Sequence, residues 1–254
     1  MQAVQTFLSL PYTHIALIGV CAILSGMSKT GVPGVSMIVV PVMAMIFGGK
    51  ASTGVLLPIL ITGDLFAVIY YHRHAEWKPL LKALPWAFLG LLIALWVGTL
   101  VDDHQFKHII ALSVLFSLGL MVWNDNGHQK DKENLTDHPL FAVIFGILGG
   151  FATMIGNVAG PVFAVYLLAL HLPKKNFIGT TAWFFAIINL TKLPFQYFVW
   201  NNIHKETILI DLMVIPFVML GAFVGIKLVK LIKDHIYRWA VVVITFISAL
   251  LIFF

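Results

Sequence analysis

Three ionisable side chains stand inside stretches that are otherwise apolar. Lys29 falls in Ser25-Gly26-Met27-Ser28-Lys29-Thr30-Gly31, Asp64 in Leu60-Ile61-Thr62-Gly63-Asp64-Leu65-Phe66, and Lys192 in Ile188-Asn189-Leu190-Thr191-Lys192-Leu193-Pro194. A charge at the centre of a bilayer costs about 2.5–3.5 kcal/mol on insertion scales, so such residues are retained for a reason. Lys29 and Lys192 are suited to partner an anion directly. Asp64 is suited to accept a proton or to orient a lysine. The structural alternative is an ion pair, for example Asp64 with Lys192, that ties two parts of the chain together.

Composition says what surrounds these charges. The chain has 254 residues, 60% of them apolar and only 11% charged, with 16 basic and 11 acidic side chains. Its mean hydropathy is +0.95. Soluble domains carry roughly 25% charged residues, so a soluble enzyme, a nucleic-acid-binding domain and a disordered chain are all excluded. The expected fold class is an all-α polytopic membrane protein. The net charge of +5 then reports which side of the bilayer a loop occupies, not affinity for nucleic acid. The single cysteine, Cys21, excludes an internal disulfide and a multi-cysteine metal site. The start, Met1-Gln2-Ala3-Val4-Gln5, lacks the basic n-region of a removable signal peptide.

Counting against about 20 residues per spanning helix gives ten apolar segments. They are Tyr12–Ser25, Val32–Phe47, Ala51–Tyr71, Leu80–Val101, Lys107–Trp123, Pro139–Met154, Asn157–Leu170, Phe177–Trp200, Thr207–Leu231 and His235–Phe254. The polar stretch Asn124–His138, with six charged residues, divides them into a first membrane repeat (1–123), a linker loop (124–138) and a second membrane repeat (139–254).

The two halves resemble each other. Gly54 and Asp64 are ten apart, as are Gly179 and Asn189; Pro85 and Gly90 are five apart, as are Pro216 and Gly221. Thirteen residues after each of those later glycines comes Asp-His, at Asp103-His104 and Asp234-His235. The offset is 125 in the first block and 131 in the second, so one six-residue insertion separates them. Five segments per half is an odd number, which inverts the second copy in the membrane. Loop charges agree: Arg73, Lys78 and Lys82 come after segment three, whereas in the second copy Lys227, Lys230, Lys233 and Arg238 mark the end of segment nine and the residues just beyond it. The positive-inside rule puts these loops in the cytoplasm and both termini outside. Inverted-topology repeats are a common build of secondary transporters.

The first two segments of each half are short and separated by a break, Ser25–Ser36 in one and Gly149–Pro161 in the other. Gly costs about 1 kcal/mol and Pro about 3 kcal/mol inside a helix, so broken or re-entrant first helices are expected, with both stretches unwound. Unwound backbone at membrane depth needs protein or a water-filled cavity to satisfy it. Thr30 and Asn157 are candidate caps for the segments that follow, and Pro33 and Pro161 sit near their first turns. Helix starts favour anions, so two of them related by inversion would hold one near the midplane. The expected substrate-binding set is Lys29, Thr30, Gly31, Gly34 and Ser36 from the first break, Gly156, Asn157 and Gly160 from the second, and Asp64, Asn189 and Lys192. The spacing Gly146/Gly150 reads instead as close helix packing. Histidines fall in loops or at segment ends without metal spacing, so neither a metal nor a cofactor is expected. Tyr70, Tyr71, Trp77, Trp123, Tyr197, Trp200 and Trp239 read as an interfacial aromatic belt.

With these residues in view, the sequence resembles the sulfite exporter TauE/SafE family, also called the DUF81 group of anion permeases. The resemblance covers nearly the whole chain. It rests on Gly34–Pro41 and Gly160–Leu168, on the Gly54…Asp64…Tyr70-Tyr71-His72-Arg73-His74-Ala75-Glu76-Trp77 stretch, and on Pro85…Gly90…Gly98. In the second half it is carried by Gly179-Thr180-Thr181 and Asn189-Leu190-Thr191-Lys192-Leu193-Pro194. The family's run of consecutive glycines is thinner here, at Gly31-Val32-Pro33-Gly34 and Gly156-Asn157-Val158-Ala159-Gly160. The resemblance implies outward transport of a small sulfur-containing anion such as sulfite, thiosulfate or a sulfonate. The expected protein is thus a multi-pass plasma (inner) membrane transporter working by alternating access. Its partners are a small anion, the lipid bilayer and protons as the candidate coupling ion. An anion channel, a transporter of another small solute and an intramembrane enzyme are the alternatives. Oligomeric state is not legible.

Overall fold

The computed structural model describes residues 11–32, 35–100, 102, 105, 139–237 and 239–243. These residues are helical with no strand among them, as a chain that must satisfy its own backbone in lipid requires. In order they form α1 (Tyr12–Lys29), α2 (Ser36–Phe47), α3 (Gly49–Tyr71), a 3₁₀ turn (His72–His74), α4 (Trp77–Val97), α5 (Pro139–Gly156), α6 (Ala159–Ala169), α7 (Lys174–Phe198) and α8 (Lys205–Leu231). Residues 234–237 and 239–243 are helical as well. The expected segment Lys107–Trp123, the linker loop and the last residues of the tenth segment lie outside the described residues.

Among the described residues, five spans are long and apolar enough to cross a membrane: Tyr12–Lys29, Ala51–His74, Trp77–Val97, Pro139–Gly156 and Thr207–Leu231. The chain is a multi-pass membrane protein. Exposed Leu65, Ile69, Leu89, Leu92, Trp96, Leu212, Phe217, Leu220 and Phe223 form the apolar exterior that lipid covers. At 1.5 Å per residue, the 12 residues of α2 and the 11 of α6 rise about 18 and 17 Å, well short of a core about 30 Å thick. Helix α7 has ample length at 25 residues but is more polar, because it carries Thr180, Asn189, Lys192 and Gln196 on its buried face.

Both breaks are narrower than the sequence suggests. Helix α1 continues through Ser25, Gly26, Met27 and Ser28 to Lys29, and α5 continues through Gly149 and Gly150 to Gly156. Only Asn157 and Val158 separate α5 from α6. The capping roles differ too. Thr30 closes α1 rather than opening α2, with its hydroxyl donating to the Gly26 carbonyl at 2.9 Å and within 3.0 Å of the Ala222 carbonyl. The residue before α6 is Val158, and Asn157 adopts a left-handed φ of 57°, which asparagine tolerates better than most residues.

Packing explains why the glycines stay helical. Helix α4 lies along α5, α1 along α8, and α7 on α3. A Cβ on Gly150 would collide with the Ala87 carbonyl of α4, and one on Gly90 with the Ile147 carbonyl of α5. The other pair is built alike: Gly26 meets the Val218 carbonyl of α8, and Gly221 meets the Ile23 carbonyl of α1. Gly146 packs against Ala83 and Trp86, as its small-residue spacing predicts. Such close backbone packing offsets the roughly 1 kcal/mol intrinsic cost of each helical glycine. Tyr71 and Trp200, expected in the interfacial belt, are buried instead, and Trp200 covers Gly98.

Gly150→Ala should therefore separate α4 from α5 and lower the thermal unfolding temperature of the purified protein. Gly160→Ala, where an added Cβ meets nothing within 4 Å, should leave it unchanged. Equal effects of the two substitutions would refute this packing account.

Candidate functional site

The three charges singled out above converge. Lys29 is the last residue of α1, and its Nζ lies 2.8 Å from Asp64 Oδ1 on α3 and 4.3 Å from the centre of the Phe185 ring on α7. Asp64 Oδ2 accepts a 2.6 Å hydrogen bond from Asn189 Nδ2 on α7. One turn further along α7, the Lys192 Nζ donates to Asn189 Oδ1 at 3.3 Å, to Thr153 Oγ1 at 3.2 Å and to Asn157 Oδ1. Asp64 is 1% exposed and Lys192 wholly buried. The ion pair thus joins Asp64 to Lys29, while Lys192 reaches the carboxylate only through Asn189. Lys192 is held by neutral acceptors, so in formal charges two lysines face one carboxylate.

A cavity of about 610 Å³, counted with its open mouth, lies beside this cluster. Its polar wall is Ser28, Lys29, Ser36, Asp64, Thr153, Asn157 and Asn189, and Gly160 borders it. Leu60, Ala164, Phe177, Ala182 and Phe185 form the apolar wall. Ser36 and Gly160 belong to the first turns of α2 and α6, so the starts of both short helices reach one cavity. Lys192 stands behind Thr153, Asn157 and Asn189 rather than on the wall. Because Thr153 Oγ1 accepts from Lys192, its own proton is free to donate elsewhere.

Of the other expected residues, Thr30 and Gly31 lie against α8 and the start of α7, and Gly156 is buried at the end of α5 without lining the cavity. Gly34 lies outside the described residues. The sequence pattern does not single out Thr153, Phe177 or Phe185 as site residues, and Thr181 enters only through the family resemblance; the one further signal is that Thr153 sits inside the second break. Nor does it reveal a polar cluster beyond Lys192. There Asn157 Nδ2 donates to the Thr53 carbonyl at 3.3 Å, Gln196 Nε2 to Thr53 Oγ1 at 3.3 Å, and Asn202 Nδ2 to Gln196 Oε1 at 3.0 Å. These bonds extend the network from the cavity to the loop between α7 and α8. Asp211, six residues into α8, is equally inconspicuous in the sequence. It is 6% exposed, and neither carboxylate oxygen has a hydrogen-bond partner among the described residues.

A bundle of membrane-crossing helices around a buried ionic cluster and a cavity defines a polytopic membrane protein. The family model described as sulfite exporter TauE/SafE matches residues 15–252, nearly the whole chain, and the protein belongs to that family. No curated protein and no solved structure matches it.

Removing one partner of a buried ion pair leaves the other uncompensated, which costs about 3–5 kcal/mol. Asp64→Asn should destabilise the protein by that order, and Lys29→Met combined with Asp64→Leu should recover most of the loss. Denaturant titration of the three forms checks this; a double variant no more stable than the single one would contradict it. Asp211→Leu replaces an unsatisfied buried carboxyl group with an apolar side chain and should raise the unfolding temperature.

Proposed function

We propose that the protein is a secondary transporter that exports a small sulfur-containing anion, such as sulfite, thiosulfate or a sulfonate, across the plasma (inner) membrane by alternating access. The observation that carries this reading is the charge balance of the buried cluster. Lys29 is matched by Asp64, whereas Lys192 has, among the described residues, only Thr153, Asn157 and Asn189. A buried cation without a carboxylate calls for a mobile anion, and the adjoining cavity gives that anion a place. Lys29, Ser36, Asn157, Asn189 and Thr153 bind it, Lys192 supplies the excess charge, and Asp64 orients Lys29. One excess positive charge balances a monoanion. A cargo with two negative charges would need a second cation, and a proton on Asp64 would supply it, which is how transport would couple to a proton gradient.

An inverted repeat of residues 1–123 and 139–254 about the linker loop is part of this proposal, and several contacts support it. Asp64 and Asn189, equivalent at an offset of 125, bond to each other, as residues close to a twofold axis do. Gly90 and Gly221, equivalent at an offset of 131, each press on the first helix of the opposite half. Gly54 meets Asn202 in the loop after α7, and Gly179 meets His74 in the turn after α3. In such a repeat α1–α2 and α5–α6 enter from opposite faces, and rocking one half against the other would expose the cavity alternately.

Lys192→Met should abolish saturable sulfite or sulfonate flux in proteoliposomes while the variant inserts and unfolds like the parent. Undiminished flux in that variant would sink the role given to Lys192. Thr153→Val should raise the half-saturating anion concentration roughly five- to tenfold, the equivalent of one hydrogen bond of about 1 kcal/mol. Flux that never saturates and ignores an imposed pH gradient would identify a channel instead.

A further inference from the structure

Helix α7 carries polar side chains on both sides of Lys192, and the two sides differ. Toward its start the central cavity follows the helix from Asn189 through Phe185, Ala182 and Thr181 to Phe177, a rise of about 18 Å. Phe177 is the fourth residue of α7, so the cavity reaches almost to the Lys174 end. Toward the other end, Gln196 continues the face that bears Asn189 and Lys192 and is fully buried. There the polar groups close on one another.

Thr53 of α3 is the centre of that closure. Gln196 Nε2 donates to its hydroxyl at 3.3 Å, Asn202 Nδ2 lies 3.4 Å from the same oxygen, and Asn157 Nδ2 donates to its carbonyl at 3.3 Å. Asn202 is also held to Gln196, by its amide to the side-chain oxygen and by its backbone N–H to the carbonyl, both at 3.0 Å. Beside Thr53, a Cβ added to Gly54 would stand 2.3 Å from the Asn202 carbonyl, so backbone meets backbone.

All three contacts to Thr53 join residues 1–123 to residues 139–254. A relative movement of the two halves therefore breaks them together. The groups released are a hydroxyl, a carbonyl and three amides, and water replaces such partners at small net cost. Asn157 also lines the cavity. An anion there competes for its Nδ2, the donor that now serves Thr53, so binding on one side loosens the closure on the other.

We propose that Thr53, Gln196 and Asn202, with Asn157 at the cavity wall, form a hydrogen-bonded gate that shuts the transport path at the α7–α8 loop. The gate rests on the transport reading given above and names the residues on which the alternation turns. When it parts, water enters between α3 and α7 from the loop side, and the anion has its second route.

Thr181→Cys places a reporter thiol on the cavity wall, and the native Cys21 is buried. The full chain in membrane vesicles of known orientation is treated with anionic sulfonatoethyl methanethiosulfonate, added to one face at a time. The reagent should reach the thiol faster from the Lys174 face than from the face bearing the α7–α8 loop. Gln196→Ala should raise the rate from the loop face several-fold without raising it from the Lys174 face. No rise from the loop face, or an equal rise from both, overturns the gate. Thr53→Cys with Asn202→Cys tests the closure reversibly: oxidation to a disulfide with copper–phenanthroline should stop sulfite flux in proteoliposomes, and reduction should restore it. Thiols that fail to join, or flux undiminished after they do, also overturn the gate. A parent protein without sulfite flux would refute the transport reading instead, and the one-sided labelling would still decide the gate.

Discussion

Everything in this bundle is arranged around the cost of placing charge where water is scarce. Lys29, Asp64 and Lys192 are brought within reach of one another by α1, α3 and α7, and α5 and the turn after it contribute Thr153 and Asn157. Each charge is tolerable only because the others, or the amides between them, are in place. Asn189 matters most in this respect: its Nδ2 serves the carboxylate and its Oδ1 serves the lysine. An amide can do both at once, whereas a second carboxylate or a second ammonium could not.

Such convergence demands helices that approach closely, and the glycines supply it. At Gly26, Gly90, Gly150 and Gly221 the backbone of one helix rests directly on a carbonyl of its neighbour. These contacts draw α1 to α8 and α4 to α5, leaving α3 and α7 between them to carry the polar residues. The same contacts explain why the breaks are short. A glycine that is poor for a helix in isolation becomes favourable once a neighbouring helix fills the space its missing side chain leaves.

The cavity is polar on one side and apolar on the other, and its most deeply buried cation stands behind the wall rather than on it. A ligand there would meet hydroxyls and amides polarised by Lys192, and only Lys29 as a direct ammonium. On the transport reading proposed above, that arrangement would favour negative charge without gripping it, which suits a site that must release what it binds.

Much of the protein is legible in its residues alone. Hydropathy is a local, additive property, so the apolar runs mark α1 to α8 to within several residues, and the rarity of charge inside them picks out Lys29, Asp64 and Lys192. Spacing also brings Asn157 and Asn189 to notice, and both line the cavity. What stays hidden are the facts that depend on which helices touch. Asp64 pairs with Lys29 rather than Lys192, Thr153 and Phe185 turn toward the cavity, Asp211 is buried with its carboxylate unsatisfied among the described residues, and Gly149 and Gly150 remain helical. Asp64 and Asn189 are 125 residues apart in the chain and 2.6 Å apart in space. Sequence alone determined which segments leave water and which charges go with them, because transfer free energy is carried residue by residue. Only the tertiary structure decided how those charges are compensated, because compensation falls off within a few ångströms and depends on the packing that brings distant helices together.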